Sequence, residues 1–209
     1  MTEHPLVAAA VFAGVSDPRV LGAMASVRRA DFVPPELAGE ADRDRPIPIP
    51  HGQVTTQPSL VAAMVEALDL TGHERVLEIG TGYGWQSALL GELAAEVWSV
   101  ERWEDLAASA RTSLARHRTT NVEIVVGDGS EGVPEHAPYD AILVSAAYPQ
   151  VPPPLVAQLA ADGRLVQPIG RGGDEEVVLF CKREGALHRV RTVADARFVR
   201  LVGRHGFGT

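Results

Sequence analysis

The chain has 209 residues, of which 45% are hydrophobic and 22% charged, and its formal net charge at pH 7 is −8. This length and composition predict one soluble globular domain, and the acidic balance disfavours a non-specific nucleic-acid binder, which needs a basic face. No apolar run approaches the ~20 residues that span a bilayer, and no basic-then-apolar leader opens the chain. We therefore expect a cytoplasmic protein without membrane contact.

The single cysteine, Cys181, cannot form an internal disulfide, which is typical of a reducing compartment. It lies in the apolar run VVLFCKRE, which predicts a buried structural thiol rather than a reactive one. The seven histidines show no spacing typical of metal ligands, so we expect no metal site. His51 lies in a polar loop, and we expect its ring to be solvated, whereas a place in the lining of a ligand pocket is the alternative.

The first 57 residues predict two short helices followed by an extended segment. Asp17 and Pro18 are typical of a helix N-terminus, where aspartate caps and proline takes the first helical position. The proline-rich runs FVPPEL and RPIPIP follow, and their prolines favour an extended, polyproline-like path over a helix. This segment is expected either to lie as a strap over an edge of the domain or to serve as a simple connector.

Residues 58–209 alternate between helix and strand patterns. Pro58 predicts the first turn of a helix, whose buried face carries Leu60, Val61, Met64, Val65 and Leu68. The strands RVLEI, EVWSVE, VEIVV, YDAILVS and GRLVQPI then alternate with three helices, which predicts a mostly parallel sheet covered on both faces. The C-terminal part predicts a hairpin at Glu184 and Gly185, then one more strand, ARFVRLVG. The expected fold is a three-layer α/β domain with antiparallel C-terminal strands.

The stretch VLEIGTGYGWQ predicts a strand that ends at Ile79, a glycine turn and the start of a helix. Gly80, Gly82 and Gly84 allow positive φ and a close approach of the backbone to a ligand at the carboxyl end of the strand. A dinucleotide fingerprint has glycine where Trp85 stands, and the chain lacks the Gly-Lys-Ser/Thr of a phosphate-binding loop. The loop thus favours a small nucleoside ligand without phosphates, although a plain tight turn also fits.

Three acidic residues lie near the ends of successive predicted strands. Glu101 ends the second strand about twenty positions after Gly80, where an acid typically accepts hydrogen bonds from ribose hydroxyls. Asp128 follows the third strand beside Gly129 and would accept the amino group of an adenine. Glu78 precedes the glycines and would face the cationic end of the ligand. Each acid alone is typical of a solvated loop, but together they indicate a nucleoside-binding site.

The stretches VLEIGTGYGWQSALL, VERWEDLA, DGSEGVPEHAPYDAI and HGQVTTQP resemble the protein-L-isoaspartate O-methyltransferase family. The similarity runs from about Leu21 to Gly203. The glycine loop is shared by many methyltransferases, whereas GQVTTQP together with DGSEGVPEHAPYDAI is specific to this family. The resemblance implies a single Rossmann-like class I methyltransferase domain over residues 1–209, in which residues 1–57 form the N-terminal helices and a cofactor-covering loop. It also implies S-adenosyl-L-methionine as methyl donor, with S-adenosyl-L-homocysteine as product.

The resemblance also assigns residues to the site. In the family, the loop before the glycine strand covers the cofactor and supplies a serine hydroxyl to the acceptor carboxylate, and Thr56 stands at that position. Threonine keeps the hydroxyl, so Thr56 is the expected catalytic residue, whereas a cap on the helix that starts at Pro58 is the alternative. The expected cofactor-binding residues are Gln53, Val54, Thr55, Glu78, Gly80, Gly82, Glu101, Asp128 and Gly129. The expected substrate-binding residues are Thr56, Gln57, Ala146, Ala147, Val199 and Arg200.

Several functions remain open at this point. The leading one is repair, in which methylation of an isoaspartyl residue of a protein or peptide leads to a succinimide and back to aspartate. A relative that methylates an aspartate of a ribosomal peptide to form an aspartimide uses the same chemistry. Val54, Thr56 and Arg200, the last in place of the usual proline, are departures that suit such a relative. A non-catalytic nucleoside-binding module and a small-molecule O-methyltransferase also fit the sequence, and we expect a monomer.

Overall fold

The structure is a computed structural model, and it describes residues 4–208. Its α-helices are α1 (Pro5–Phe12), α2 (Pro18–Ser26), α3 (Pro58–Ala67), α4 (Trp85–Leu93), α5 (Glu104–His117) and α6 (Pro153–Gln158). Its strands are β1 (Pro48–Ile49), β2 (Gln53–Val54), β3 (Arg75–Ile79), β4 (Glu96–Glu101), β5 (Val122–Val126), β6 (Tyr139–Val144), β7 (Leu159–Ile169), β8 (Glu175–Arg183) and β9 (Ala186–Ala196). Among residues 4–208, no helix has both the length and the apolar character needed to cross a membrane.

A seven-stranded sheet with the order β5-β4-β3-β6-β7-β8-β9 forms the centre of the fold. Neighbouring strands from β5 to β7 are parallel, and β8 is antiparallel to both β7 and β9. This topology confirms the predicted mostly parallel sheet with an antiparallel C-terminal hairpin. The chain moves outward from β3 to β5 and then returns to β6 on the other side of β3. Such a reversal opens a crevice at the carboxyl ends of the strands, where ligands bind in open α/β sheets.

Helices cover both faces of the sheet, as the alternation of patterns predicted. In β3, Val76 packs into the cluster that holds buried residues of α1 to α5. Leu77 and Ile79 point to the opposite face and pack with Leu155 of α6. This division follows from the period-two alternation of side chains along a strand, and it gives the three layers.

Helix α2 starts as predicted, because the carboxylate of Asp17 accepts a hydrogen bond from the Arg19 N–H at 2.7 Å. The prediction of an extended path was wrong for FVPPEL, since Pro35–Glu40 is a 3-10 helix. Proline at the first position of a short helix fixes a compatible φ and loses no hydrogen bond, which explains the difference.

The C-terminal hairpin turns at Glu184 and Gly185, both with positive φ, and Cys181 is buried in β8, so both predictions are confirmed. The predicted last strand ARFVRLVG is wrong, because this segment makes only isolated bridges, such as the one between Ala147 and Arg200. Residue 147 lies in the loop after β6, where too few backbone groups are aligned to extend the pairing.

Residues 41–57, here called the strap, lie against a buried arginine. Arg29 is only 2% exposed. Its guanidinium donates hydrogen bonds to the carbonyl oxygens of Ala41 (3.4 Å), Arg43 (3.2 Å) and Arg45 (3.1 Å). It also donates to Thr55 Oγ1 (2.6 Å) and to the Thr56 carbonyl oxygen (3.5 Å). One planar cation therefore joins the beginning of the strap to its end.

The strap also caps the helix that follows it. The Asp44 carboxylate accepts hydrogen bonds from the Ser59 N–H and Oγ–H, both at 2.8 Å, and from the Gln57 side chain at 2.9 Å. Asp44 therefore satisfies donors at the first turn of α3, which are otherwise unpaired. No capping bond comes from Thr56, so the structure does not support the alternative in which Thr56 caps this helix.

Asp44→Ala is expected to lower the free energy of unfolding by about 1–2 kcal/mol, because the first turn of α3 loses its capping acceptor. Urea denaturation followed by circular dichroism measures this change. Asp42→Ala is the matched control, because Asp42 is exposed and its side chain makes no hydrogen bond within residues 4–208. Equal losses of stability in the two variants would show that the Asp44 cap contributes nothing.

Candidate functional site

A cavity lies at the carboxyl ends of β3, β4 and β6, below the strap, and we call it the first cavity. Several predicted site residues line it: Gln53, Val54, Thr55, Thr56, Gly80, Gly82, Glu101, Gly129, Ala146, Val199 and Arg200. The structure therefore brings together residues of the strap, the glycine loop and the C-terminal segment. Lining residues that the sequence did not single out as ligand contacts include Arg29, Ile49, Tyr83, Gln86, Trp103 and Ser145.

The glycine loop forms the floor of this cavity. Gly80, Gly82 and Gly84 have φ values of 96°, 55° and 89°, in the region that side chains rarely adopt. A Cβ atom on Gly84 would lie 3.0 Å from the Cβ of Ala110 in α5. The loop sequence therefore meets two demands at once, a left-handed backbone turn and close packing of α4 against α5.

Glu101 lies at the end of β4 and is 5% exposed. One carboxylate oxygen accepts a hydrogen bond from the Gly82 N–H at 2.9 Å, and the other accepts one from the Trp103 N–H at 3.1 Å. Each oxygen can accept a further bond. The carboxylate is thus fixed in orientation and keeps acceptor capacity for a ligand with hydroxyl groups.

Glu78 does not line the cavity but lies fully buried behind the glycine loop. It accepts hydrogen bonds from Gln86 Nε2 at 2.8 Å, from Ser99 Oγ at 2.6 Å and from the Ser87 hydroxyl. Burial raises the pKa of Glu78 to about 7, although these three hydrogen bonds oppose the shift. The predicted contact between this carboxylate and a ligand is therefore not seen, and its bonds instead hold the start of α4 against β4.

Asp128 also lies outside the lining of the first cavity. Its carboxylate accepts hydrogen bonds from the Ser130 N–H at 2.9 Å and Oγ–H at 2.7 Å, and from the Arg204 N–H at 2.6 Å. Burial raises the pKa of Asp128, but the Ser130 and Arg204 bonds outweigh it and leave the pKa below its usual value. The structure thus places this acid as an anchor for the C-terminal segment, while the neighbouring Gly129 lines the cavity.

Ala147 is completely buried and lines no cavity. Its N–H donates to the Val199 carbonyl oxygen at 2.7 Å, and its own carbonyl accepts from the Leu201 N–H at 2.8 Å. Ala147, an expected substrate-binding residue, is thus paired with the C-terminal segment and is not open to a substrate in this structure. The guanidinium of Arg200 lies 5.0 Å from the centre of the Phe207 ring, so its charge is partly held by a cation–π contact.

His51 is exposed at the tip of the β1–β2 hairpin, in line with the expectation, and it does not line the first cavity. Its ring stacks on Trp103 with centroids 3.9 Å apart, and its Nε2 lies 2.9 Å from the Asp105 carboxylate. His51 has a φ of 61°, a conformation uncommon for a residue other than glycine. These contacts hold the tip of the β1–β2 hairpin against Trp103, which lines the first cavity.

A second cavity adjoins the first. It is lined by the end of the strap with Thr56 and Gln57, the first turns of α3, and residues 193–199. Five residues line both cavities: Val54, Thr55, Thr56, Ser145 and Val199. The two spaces therefore meet at a wall that carries three hydroxyl groups. This arrangement suits a reaction between two ligands that enter from different sides.

Two buried polar atoms of residues that line the first cavity, Gln86 Oε1 and Trp103 Nε1, have no hydrogen-bond partner within residues 4–208. Unpaired buried polar atoms are rare in proteins and need an explanation. Gln86 Oε1 is an acceptor and Trp103 Nε1 a donor, so they suit a ligand that carries both a donor and an acceptor group. Within the same residues, no group of three or more His, Cys, Asp or Glu is arranged to hold a metal ion.

Comparison with known proteins gives one consistent family. The model of the protein-L-isoaspartate(D-aspartate) O-methyltransferase family matches residues 2–206. The chain belongs to this family. A protein-L-isoaspartate O-methyltransferase of Methanoculleus marisnigri is 51% identical over 93% of this chain and 88% of its own length. One of Anaeromyxobacter dehalogenans is 52% identical over 90% of this chain and 91% of its own length.

Solved structures agree with the class I methyltransferase fold. A protein-L-isoaspartate O-methyltransferase structure superposes with a TM-score of 0.83 and 29% identity over 96% of this chain and 66% of the other. A Plasmodium falciparum chain, described as a protein of this family in complex with S-adenosyl-L-homocysteine, superposes with a TM-score of 0.80. It is 22% identical over 97% of this chain and 99% of the other, so it supports the fold alone.

The titration of Glu78 generates a stability prediction. Burial raises the pKa of this group from 4.5 to about 7, so the folded protein holds a proton that the unfolded chain loses between these pH values. The corresponding stability is fully present below pH 4.5 and is lost as the pH rises through 7. Glu78→Gln does not titrate, so between pH 4.5 and 8 its free energy of unfolding should rise relative to wild type by about 3 kcal/mol.

Chemical denaturation of both proteins at a series of pH values measures this difference. Glu92→Gln, which removes an exposed glutamate of α4, controls for the loss of one negative charge. A difference between Glu78→Gln and wild type that does not change with pH would contradict the assigned shift.

Proposed function

We propose that this protein methylates the free α-carboxylate of L-isoaspartyl residues in proteins and peptides, with S-adenosyl-L-methionine as donor. The observation that carries the proposal is the match to relatives about half identical over nearly the whole chain, whose name states this activity. The resulting methyl ester leads through a succinimide back to aspartate, which is a repair reaction. The proposed enzyme is a cytoplasmic monomer. It does not act on nucleic acid, a proposal that its net charge of −8 supports.

The first cavity is the proposed cofactor site, and the residues present fit this ligand. Glu101 would accept hydrogen bonds from the ribose hydroxyls, because both of its oxygens keep acceptor capacity. The backbone of Gly80, Gly82 and Gly129 allows close approach, and strap residues 53–55 cover the ligand. The side chains of Glu78 and Asp128 are left out of the proposed contacts, because neither lines the cavity.

When bound, S-adenosyl-L-methionine supplies an electrophilic methyl group on a sulfonium. The acceptor carboxylate has an ordinary pKa near ~4, so it is an anionic nucleophile at neutral pH and needs no general base. The protein therefore contributes orientation and exclusion of water. The reaction therefore does not need a histidine and acid pair as general base.

The second cavity is the proposed acceptor site, with Thr56, Gln57 and Val199 in its lining. The Thr56 hydroxyl makes no hydrogen bond within residues 4–208, while the Thr56 carbonyl is held by Arg29. A hydroxyl that is fixed through its backbone and free at its oxygen can orient one oxygen of the acceptor carboxylate while the other attacks. Ala146, Val199 and Arg200 would line the path between the sites.

The test of the function uses two peptides that are identical except that one carries L-isoaspartate and the other normal aspartate. Methyl ester and succinimide are followed by mass spectrometry with S-adenosyl-L-methionine present. Methylation of the isoaspartyl peptide alone is the expected result. Methylation of the normal peptide would favour an aspartimide-forming enzyme, and cofactor binding without turnover on either peptide would favour a nucleoside-binding module.

Thr56→Val is expected to lower kcat/KM for the isoaspartyl peptide roughly 10- to 100-fold, because a hydrogen bond to a charged group is lost while the shape is kept. Thr56→Ser keeps the hydroxyl and should retain most of the activity. The dissociation constant of S-adenosyl-L-homocysteine, measured by calorimetry, should change less than threefold in both variants. A wild-type rate in Thr56→Val would exclude this hydroxyl from the mechanism.

A further inference from the structure

Ser145 stands at the junction of the two cavities, and the sequence did not mark it as a site residue. It follows β6 directly, and its N–H donates to the Ile79 carbonyl oxygen at 2.9 Å. Its Cβ lies 3.4 Å from the point where a Cβ on Gly80 would stand. The residue is thus held against the glycine loop, on a rigid part of the sheet, and it lines both cavities.

The hydrogen bonds behind Ser145 set the direction in which its hydroxyl can donate. The Glu78 carboxylate accepts from Gln86 Nε2 at 2.8 Å, so the Gln86 amide must turn its NH₂ group to this side. The second hydrogen of the same NH₂ group points to Ser145 Oγ at 2.9 Å. Ser145 Oγ therefore acts as an acceptor towards Gln86, and its own proton remains available.

That proton has no acceptor within residues 4–208. The Thr56 hydroxyl is likewise without a hydrogen bond within residues 4–208, whereas the Thr55 hydroxyl has two. Thr55 Oγ1 accepts from Arg29 and from the Ile47 N–H at 3.0 Å, so its oxygen is fixed against the strap by two bonds. Thr56 and Ser145 therefore carry the two hydroxyls of the shared wall that Arg29 and the strap do not hold. They come from opposite parts of the fold, the strap and the end of β6.

We propose that Ser145 is a second catalytic hydroxyl, which donates a hydrogen bond to the acceptor carboxylate together with Thr56. This inference rests on the proposed function, because it takes a free carboxylate as the acceptor. Two donors from different elements fix the plane of a carboxylate, whereas one donor leaves it free to rotate. Gln86 is a positioning residue, since it acts on the substrate only through Ser145. A carboxamide has one acceptor oxygen in place of two, so the pair of hydroxyls also discriminates against amides.

The test compares binding of two peptides to the protein saturated with S-adenosyl-L-homocysteine, measured by calorimetry. One peptide carries L-isoaspartate, and in the other its free α-carboxylate is a carboxamide. Ser145→Ala should weaken binding of the carboxylate peptide roughly 10- to 100-fold and of the carboxamide peptide less than threefold. Ser145→Thr, which restores a hydroxyl, should bind the carboxylate peptide at least tenfold more tightly than Ser145→Ala.

Ser113→Ala is the matched control, because Ser113 is a buried serine of α5 that lines neither cavity, and it should bind both peptides as the wild type does. Equal weakening for the two peptides in Ser145→Ala, no weakening at all, or a Ser145→Thr variant as weak as Ser145→Ala would each overturn the proposal. A wild type that methylates the isoaspartyl peptide separates these results from a failure of the proposed function. If the wild type neither methylates nor binds that peptide, both proposals fall together.

Discussion

The buried guanidinium of Arg29 is the interaction on which the site depends. It joins carbonyl groups at the beginning of the strap to Thr55 and Thr56 at its end. Burial lowers the pKa of Arg29 to about 10, although the negative charge of Asp44 opposes this shift. The guanidinium therefore stays protonated at neutral pH. A buried cation is costly unless its donors are satisfied, and here the strap supplies the acceptors. If the strap moved away, the buried charge of Arg29 would lose its hydrogen-bond acceptors. This cost holds the strap over the site.

A buried acid, Glu78, organises the opposite side of the site. Glu78 has only neutral donors around it, from Ser87, Ser99 and Gln86, and no cation among its hydrogen-bond partners. Hydrogen bonds alone do not fully offset its burial, which is why its pKa rises. In return the carboxylate fixes the orientation of three side chains beneath the glycine loop. One of them, Gln86, donates a hydrogen bond to Ser145 Oγ at the junction of the cavities.

The two cavities are built from parts of the chain that are far apart in sequence. The strap contributes residues 53–56, the glycine loop residues 80–86 and the C-terminal segment residues 199–202. Asp128 holds the last of these through the Arg204 N–H, and a side chain at Gly203 would collide with it. Asp128, which the sequence predicts as a ligand contact, therefore holds the C-terminal segment in the wall of the cavity instead. Local sequence cannot separate these two roles, since both need a carboxylate at the same strand end.

The sequence by itself determined the alternation of strands and helices, the glycine turn, the start of α2 at Pro18 and the family. These features depend on local periodicity, on backbone preferences of glycine and proline, and on motifs of contiguous residues. Only the tertiary structure decided that Glu78 lies behind the loop, that Asp44 caps α3, and that Ser145 reaches both cavities. Each of these depends on which distant groups burial brings within hydrogen-bonding distance. The prediction of a final strand in ARFVRLVG was wrong for the same reason, because a strand needs a partner strand and the sequence does not show whether the folded chain provides one.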